Sequence, residues 1–474
     1  MGNLSISTHL DNKSRKEVLF SDDADEEKQP SPTTHVSVDI LSEDHQSMIV
    51  DSRCRVLHRV PPQVCERKKH IYDPVVLSLG PYHHGKPRFQ QVERLKDEVL
   101  GMMLDSKDKD LYLSKIRERI FEIRDFYGGL TINEYDNETL SEMMLRDGCF
   151  VLYYMEICSG DEEKDNHIVR SLGLSRVAFM FRDFFMLENQ IPLWVVKLFI
   201  GSIYNEEDQC EAFLYKFLSE MNFGDDRLTR IPWEEQEPLH LLEAHRTTLI
   251  KGESISTTTI EVPSMSHRRT FRFRWGRKKA YQSSLFETVN SQFRSVTDLK
   301  AKSIHFGPSS NCLTDIRFNS HPFYGKLQLP IWFVTNNSKV FFSNLIAFEM
   351  SPETDTDFAV ISYVNFMKSL LEEPKDVKEL REKKILFSCL ANDEEVVKMF
   401  KEMDTYGMDN IGIFQDVKKR IDEHCDSRGK TWKAKLIYTY FRNPWNAIAL
   451  LAAIFLLCLT FLQTYYTIHP PIQG

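Results

Sequence analysis

Cysteine is the first scarcity. The chain holds 9 Cys in 474 residues, and none forms a C-x-x-C pair. That excludes a disulfide-dense scaffold, zinc ribbons, thioredoxin-type sites and c-type haem attachment. Glycine and proline are sparse, 19 of each, which rules out collagen-like and proline-rich architectures. Positive charge is in deficit, with 60 Lys+Arg against 69 Asp+Glu and a net charge of −9. A nucleic-acid binder of this size is usually basic, so no nucleic-acid partner is expected. Cofactor and catalytic signatures are missing too. No Walker A loop, G-x-G-x-x-G, G-x-S-x-G or H-E-x-x-H occurs, so neither a cofactor nor a catalytic residue is assigned. A secretory leader is not expected either, because Val18-Leu19-Phe20 is the longest apolar run before Val50.

What is present is a globular composition, with 42% hydrophobic and 27% charged residues and 32 Phe. A chain rich in Phe and poor in Gly points to helices packed through large side chains. Apolar residues recur at helical spacing in three places. These are Phe89, Val92, Leu95, Val99 and Met102; Cys210, Phe213, Leu214, Phe217, Leu218 and Met221; and Val396, Met399, Phe400 and Met403. Asn392 with Glu395 three residues later predicts the start of the last helix. A further core helix is expected to begin at Pro192. Between about Ser303 and Val334, short runs such as Ile304-His-Phe, Leu313–Phe318 and Lys326–Val334 predict a small β-sheet. Helix resumes over Lys339–Met350, and a stalk helix is expected from Asp416 toward Tyr440.

The expected organisation has five parts. An acidic disordered tail (1–45) precedes a helical segment (46–250) and a flexible basic and aromatic loop (251–284). A second segment (285–440) carries the small sheet and then helices, and an apolar segment (445–468) closes the chain. Trp445–Leu462 has no charge, and with its extension to Ile468 about 24 residues at about 1.5 Å each would match a hydrocarbon core of about 30 Å. Trp445 at one edge and Tyr465 and Tyr466 at the other are expected interfacial anchors. Lys433, Lys435 and Arg442 precede the span and predict a cytosolic body with a short tail beyond a single-pass, tail-anchored membrane helix, placed at the plasma membrane. The fold class expected is therefore predominantly α-helical (α+β), with a small β-sheet element and one C-terminal transmembrane helix. Glycosylation at the sequons of Asn137 or Asn336 would reverse that topology.

Three constellations invite chemistry. Arg268, Arg269, Arg272, Arg274, Arg277, Lys278 and Lys279 interleave with Phe271, Phe273 and Trp275. A solvated surface loop is the favoured reading given the net acidity, and if the pattern is functional it suits anionic lipid or a protein partner. His83 and His84 share the turn Gly80-Pro-Tyr-His-His-Gly85, but adjacent extended residues point to opposite faces, which argues against a metal. Cys149 in Asp147-Gly-Cys-Phe150 and Glu188 in Leu187-Glu-Asn-Gln-Ile-Pro192 read as buried or capping groups, and as a nucleophile or general acid only if a base lies nearby.

Those motifs, in order, carry a family resemblance. GPYHHG at Gly80, DGCF at Asp147, LENQIP at Leu187, PLHLLEAHR at Pro238, SNLIAFEM at Ser343, YVNFMKSLL at Tyr363, DVKELREKKI at Asp376, DEEVVKMF at Asp393 and FRNPWNAIALLAA at Phe441 resemble the plant domain-of-unknown-function family 247. The likeness covers about Val56 to Ile468. It departs from the family pattern at Val296–Ser303, at Val334–Ser338, and at Phe342, where an arginine is common. The resemblance implies a plant-restricted, largely uncharacterised protein with one closing membrane helix and no established catalytic residues. Some grass members of the family are linked to pollen-side specificity in self-incompatibility. The function expected is a non-enzymatic recognition or signalling component. The competing expectation is an enzyme with an unrecognised site near the GPYHHG and LENQIP motifs.

Overall fold

The structure is a computed structural model. It describes residues 56–468 except 66–67, 129–132, 205, 221–236, 251–293, 311, 353, 355 and 427–443. The chain divides into two units, Met1–Arg53 and Cys54–Gly474, and all described residues lie in the second. The predicted acidic tail and the basic and aromatic run over 268–279 fall outside the described residues.

The first helices are short: α1 (Pro62–Cys65) and α2 (Lys69–Tyr72). They lead through an extended segment into α3 (Gln90–Met103), α4 (Ser106–Glu118) and α5 (Ile120–Phe126). The longest interior helix is α6 (Asn137–Cys158). Asp136 starts it by accepting a hydrogen bond from the Thr139 N–H at 2.7 Å, which satisfies one free donor of the first turn. From Leu140 to Met155 nearly every side chain is buried, including Met143, Met144, Phe150, Leu152 and Tyr153. Such a helix has to be surrounded. It is packed by α3, by α4 and by α9 (Leu193–Ile200). Helices α7 (Glu162–Leu172), α8 (Leu174–Asp183), α10 (Glu207–Glu220) and α11 (Leu241–Ile250) complete this part.

The second part opens with α12 (Val296–Ala301) and β1 (Ile304–Pro308). Strands β2 (Arg317–Ser320) and β3 (Gly325–Leu329) follow, giving a three-stranded sheet in the order β1-β3-β2. β1 runs parallel to β3 with Ile304 opposite Gly325, and β2 runs antiparallel to β3 with Phe318 opposite Leu327. Helix α12 packs on β1. The expected continuous run Lys326–Val334 is two strands, because Pro330 has no N–H to continue a ladder. Past it, β4 (Trp332–Val334) joins a second sheet, parallel to β5 (Leu386–Ser388), which the sequence did not reveal. Around these lie α13 (Ser338–Glu349), α14 (Ala359–Leu370), α15 (Pro374–Glu382), α16 (Asp393–Glu402) and α17 (Ile411–Asp426), the last packed on β2.

The amphipathic stripes are largely where periodicity put them. Phe89, Val92, Leu95 and Val99 are buried, whereas Met102 at the end of its helix is exposed. Asn392 caps α16, accepting from the Glu395 N–H at 2.8 Å. The stalk helix ends at Asp426 within the described residues.

The membrane helix is the correction to the expected fold class. Helix α18 (Pro444–Ile468) forms, and Leu451, Phe455, Leu457 and Phe461 stand exposed along it. Among the described residues, however, no helix is long and apolar enough to cross a membrane. Of the expected anchors, Trp445, Tyr465 and Tyr466 fall within α18, and Lys433, Lys435 and Arg442 lie outside the described residues. The mostly helical reading with small sheets stands; the transmembrane assignment does not.

Candidate functional site

The segment Val75–Leu79 is strand-like in sequence, yet among the described residues no strand pairs with it. Its backbone donors go to side chains instead. Asp183 Oδ2, at the end of α8, accepts from the N–H groups of Val75, Val76 and Leu77 at 2.9, 2.6 and 3.0 Å. Asn189 Oδ1 accepts from Leu79 N–H at 2.7 Å, while its amide donates to the carbonyls of Leu77 and Asp183. Asp147 Oδ2 accepts from Gly80 N–H at 2.7 Å. Glu188 Oε1 accepts from Val60 N–H at 2.9 Å. Residues 60–65 and 68–80 thus form a strap hung on carboxylates and an amide, satisfying buried donors without a sheet.

The hooks are themselves fixed. Lys96 is buried and donates to Asp147 Oδ1 and Glu93 Oε1, both at 2.7 Å, and to the Ser78 carbonyl. Burial opposes its charge, but Asp147 and Glu93 outweigh it and raise its pKa. Burial raises the Asp183 carboxyl above its usual range, offset in part by the three N–H donors. Gln190 donates to the carbonyls of Phe184 and Met186 at 2.8 Å and accepts from Leu242 N–H at 3.1 Å. Asn344 on α13 accepts from Leu187 N–H at 2.9 Å and donates to the Ile71 carbonyl at 3.1 Å. Four of the motifs (GPYHHG, DGCF, LENQIP and SNLIAFEM) therefore meet at one strap, the longest of these contacts joining Asn344 to Ile71 across 273 positions.

Two glycines allow the approach. Gly80 has φ +68°, and a Cβ there would lie 2.4 Å from the Tyr127 hydroxyl. A Cβ on Gly148 would lie 2.5 Å from the Phe199 ring, so the contact between α6 and α9 depends on its absence. Next to Gly148, Cys149 is buried, and burial pushes its thiol up to about 12. Such burial is what a packed core thiol shows.

The histidines separate. His84 Nδ1 faces Glu93 Oε2 at 3.7 Å. His83 turns inward, with Nε2 3.8 Å from Glu188 Oε2 and Nδ1 2.6 Å from Lys86 Nζ. Burial first, then Lys86, lowers His83 to about 3. Burial raises Glu188. Among the described residues, no group of three or more His, Cys, Asp or Glu could hold a metal ion. Asp183, Lys96 and Tyr127 escaped the sequence reading, and Asn344 entered it only as part of SNLIAFEM. Lys96 alone carried a signal, lying beside Leu95 on the apolar face of α3.

Comparisons with known proteins agree on kinship and stop there. The chain is similar to the UPF0481 protein At3g47200 of Arabidopsis thaliana, 26% identical over 424 residues that cover 86% of this chain and 85% of that protein. It is also similar to the putative UPF0481 protein At3g02645 of the same plant, 22% identical over 487 residues, covering 86% and 89%. No solved structure matches. Residues 57–459 match the family described as plant protein of unknown function, DUF247, and over that extent this chain belongs to it.

Proposed function

We propose that this protein is a non-enzymatic recognition or signalling component: a rigid helical scaffold whose exposed loops and helix faces meet a protein partner. One observation carries the reading. Asn189, Asp147, Gln190 and Asn344 of its motifs, together with Asp183 outside them, are all bonded to its own main-chain groups. Groups so used hold a shape, and function then belongs to the surfaces that shape presents.

The competing enzymatic reading draws support from one distance, the 3.8 Å between His83 Nε2 and Glu188 Oε2. Against it, His83 Nε2 is buried and His84 is turned to Glu93. Complementation in the native plant separates the two. Glu188→Gln and His83→Gln, each checked for unchanged melting, are expected to restore function, while charge reversals on exposed loops abolish partner capture. Loss of function in folded Glu188→Gln with partner capture intact would favour the enzyme. Pollen–stigma recognition, which the family resemblance implies, is the first process in which to run the comparison.

A further inference from the structure

The inward face of the GPYHHG turn holds three groups whose hydrogens cannot be arranged independently. Lys86 Nζ is an ammonium with donors only, and it sits 2.6 Å from His83 Nδ1. His83 Nδ1 must therefore be the acceptor, and the ring proton resides on Nε2. That N–H is buried without a hydrogen-bond partner and faces Glu188 Oε2 at 3.8 Å. The other oxygen of Glu188 holds the strap through Val60 N–H. The charged and titratable groups around the trio are Arg59, Lys69, Asp73, Tyr82 and Arg88. Arg59 lies 4.2 Å from the Tyr82 ring centre, and Arg88 pairs with Asp73 at 3.5 Å.

A proton on Glu188 Oε2 would confront the N–H of His83, donor against donor. Turning the ring proton to Nδ1 would move the same conflict to Lys86. Each of the three can change only if the others do.

We propose that Lys86, His83 and Glu188 form a proton-coupled switch that exchanges the tautomer of His83 and releases Lys86 from the turn on acidification. The Nε2 proton passes to Glu188 Oε2, and a proton from Lys86 Nζ passes to Nδ1. The resulting neutral amine turns to solvent and takes up one proton there. The net change is one proton gained by Glu188, with the ring neutral at both ends. Glu188 must close about 1 Å to reach hydrogen-bonding distance. Burial favours this direction, holding the Glu188 carboxyl above and the Lys86 ammonium below their ordinary values. The positive charges of Lys86, Arg88 and Arg59 oppose an imidazolium. Nearby, Asp73 and Arg88 keep their own pairing.

The test uses full-length protein with 15N-labelled histidine, with His83 assigned by its loss in His83→Gln. Two-bond proton–nitrogen spectra are collected from pH 7.5 to 4. The expected result is the Nε2–H form at pH 7.5 and the Nδ1–H form at the acid end, with no imidazolium. Glu188→Gln presents its amide oxygen to Nε2–H and is expected to hold the Nε2–H form throughout. Lys86→Gln is expected to populate both tautomers already at pH 7.5. Slow hydrogen exchange at the Val60 amide reports that each variant keeps its strap. An unchanged tautomer in the parent, an imidazolium in its place, or the same transition in Glu188→Gln would overturn the proposal.

Discussion

Gly80 shows how tightly single residues are constrained at the strap. Its positive φ, and the 2.4 Å that would separate an added Cβ from the Tyr127 hydroxyl, penalise any side chain twice, through backbone strain and overlap. Gly80→Ala is expected to lose about 2–4 kcal/mol in chemical denaturation. Tyr127→Phe in the same background should recover only the steric share, since φ is unchanged. Asp183 is the second such residue. Asp183→Ala would orphan three N–H donors, each costing about 1–3 kcal/mol when buried. The variant is expected to fold poorly or melt far below the parent. Asp183→Asn keeps an acceptor oxygen and is expected to lose distinctly less; equal losses would show that the carboxylate does not hold the strap.

At the scale of elements, local signals worked wherever a helix could declare itself. The Asn392 cap and the Val396, Met399, Phe400 and Met403 stripe lie within a few residues of each other, and both are observed. Asn392→Ala is expected to cost about 1 kcal/mol, read as a small fall in denaturation midpoint. Strands were harder. Val75–Leu79 has strand composition but no strand partner among the described residues, because side chains far along the chain take its N–H groups. β5 has the reverse history: three residues, Leu386–Ser388, become a strand only because Trp332–Val334 lies beside them. Helix α18 makes a separate prediction. Its exposed apolar side chains add no burial to the core. Deleting 444–474 is therefore expected to leave the melting temperature of the remainder within about 2 °C, against a shift of several degrees per kcal/mol had the helix packed there.

At the scale of the whole molecule, burial sets the response to acid. His245 is enclosed by Phe185 and Phe341, and burial lowers it to about 3. The unfolded chain takes up that proton near the ordinary value of about 6.5, well before the folded chain does. Stability from this group is therefore complete above pH 6.5 and falls between pH 6.5 and about 3, by roughly 1.4 kcal/mol per pH unit. Asp183, Glu188 and Glu349 are raised by burial and act with the opposite sign, since the folded state binds their protons first. His245→Phe is expected to flatten the acid slope of the denaturation free energy by about that amount. A slope unchanged in the variant would remove His245 from the account.

The sequence alone determined the helical class, the stripes that face the core, the cap at Asn392, the sheet region near residue 304 and, through nine ordered motifs, membership of a plant family. Those properties depend on neighbours a few residues apart, or on the motif text itself. Tertiary structure alone decided which groups the motifs' side chains bond. Asp147, Asp183, Asn189 and Asn344 became hooks for one strap, and His83 came to lie between Lys86 and Glu188, only when segments 67 to 273 positions apart were brought together. The hydrogen-bonding capacity of a polar side chain is evident from its type, but the partner that uses it is set by burial, where every donor must find an acceptor or remain costly.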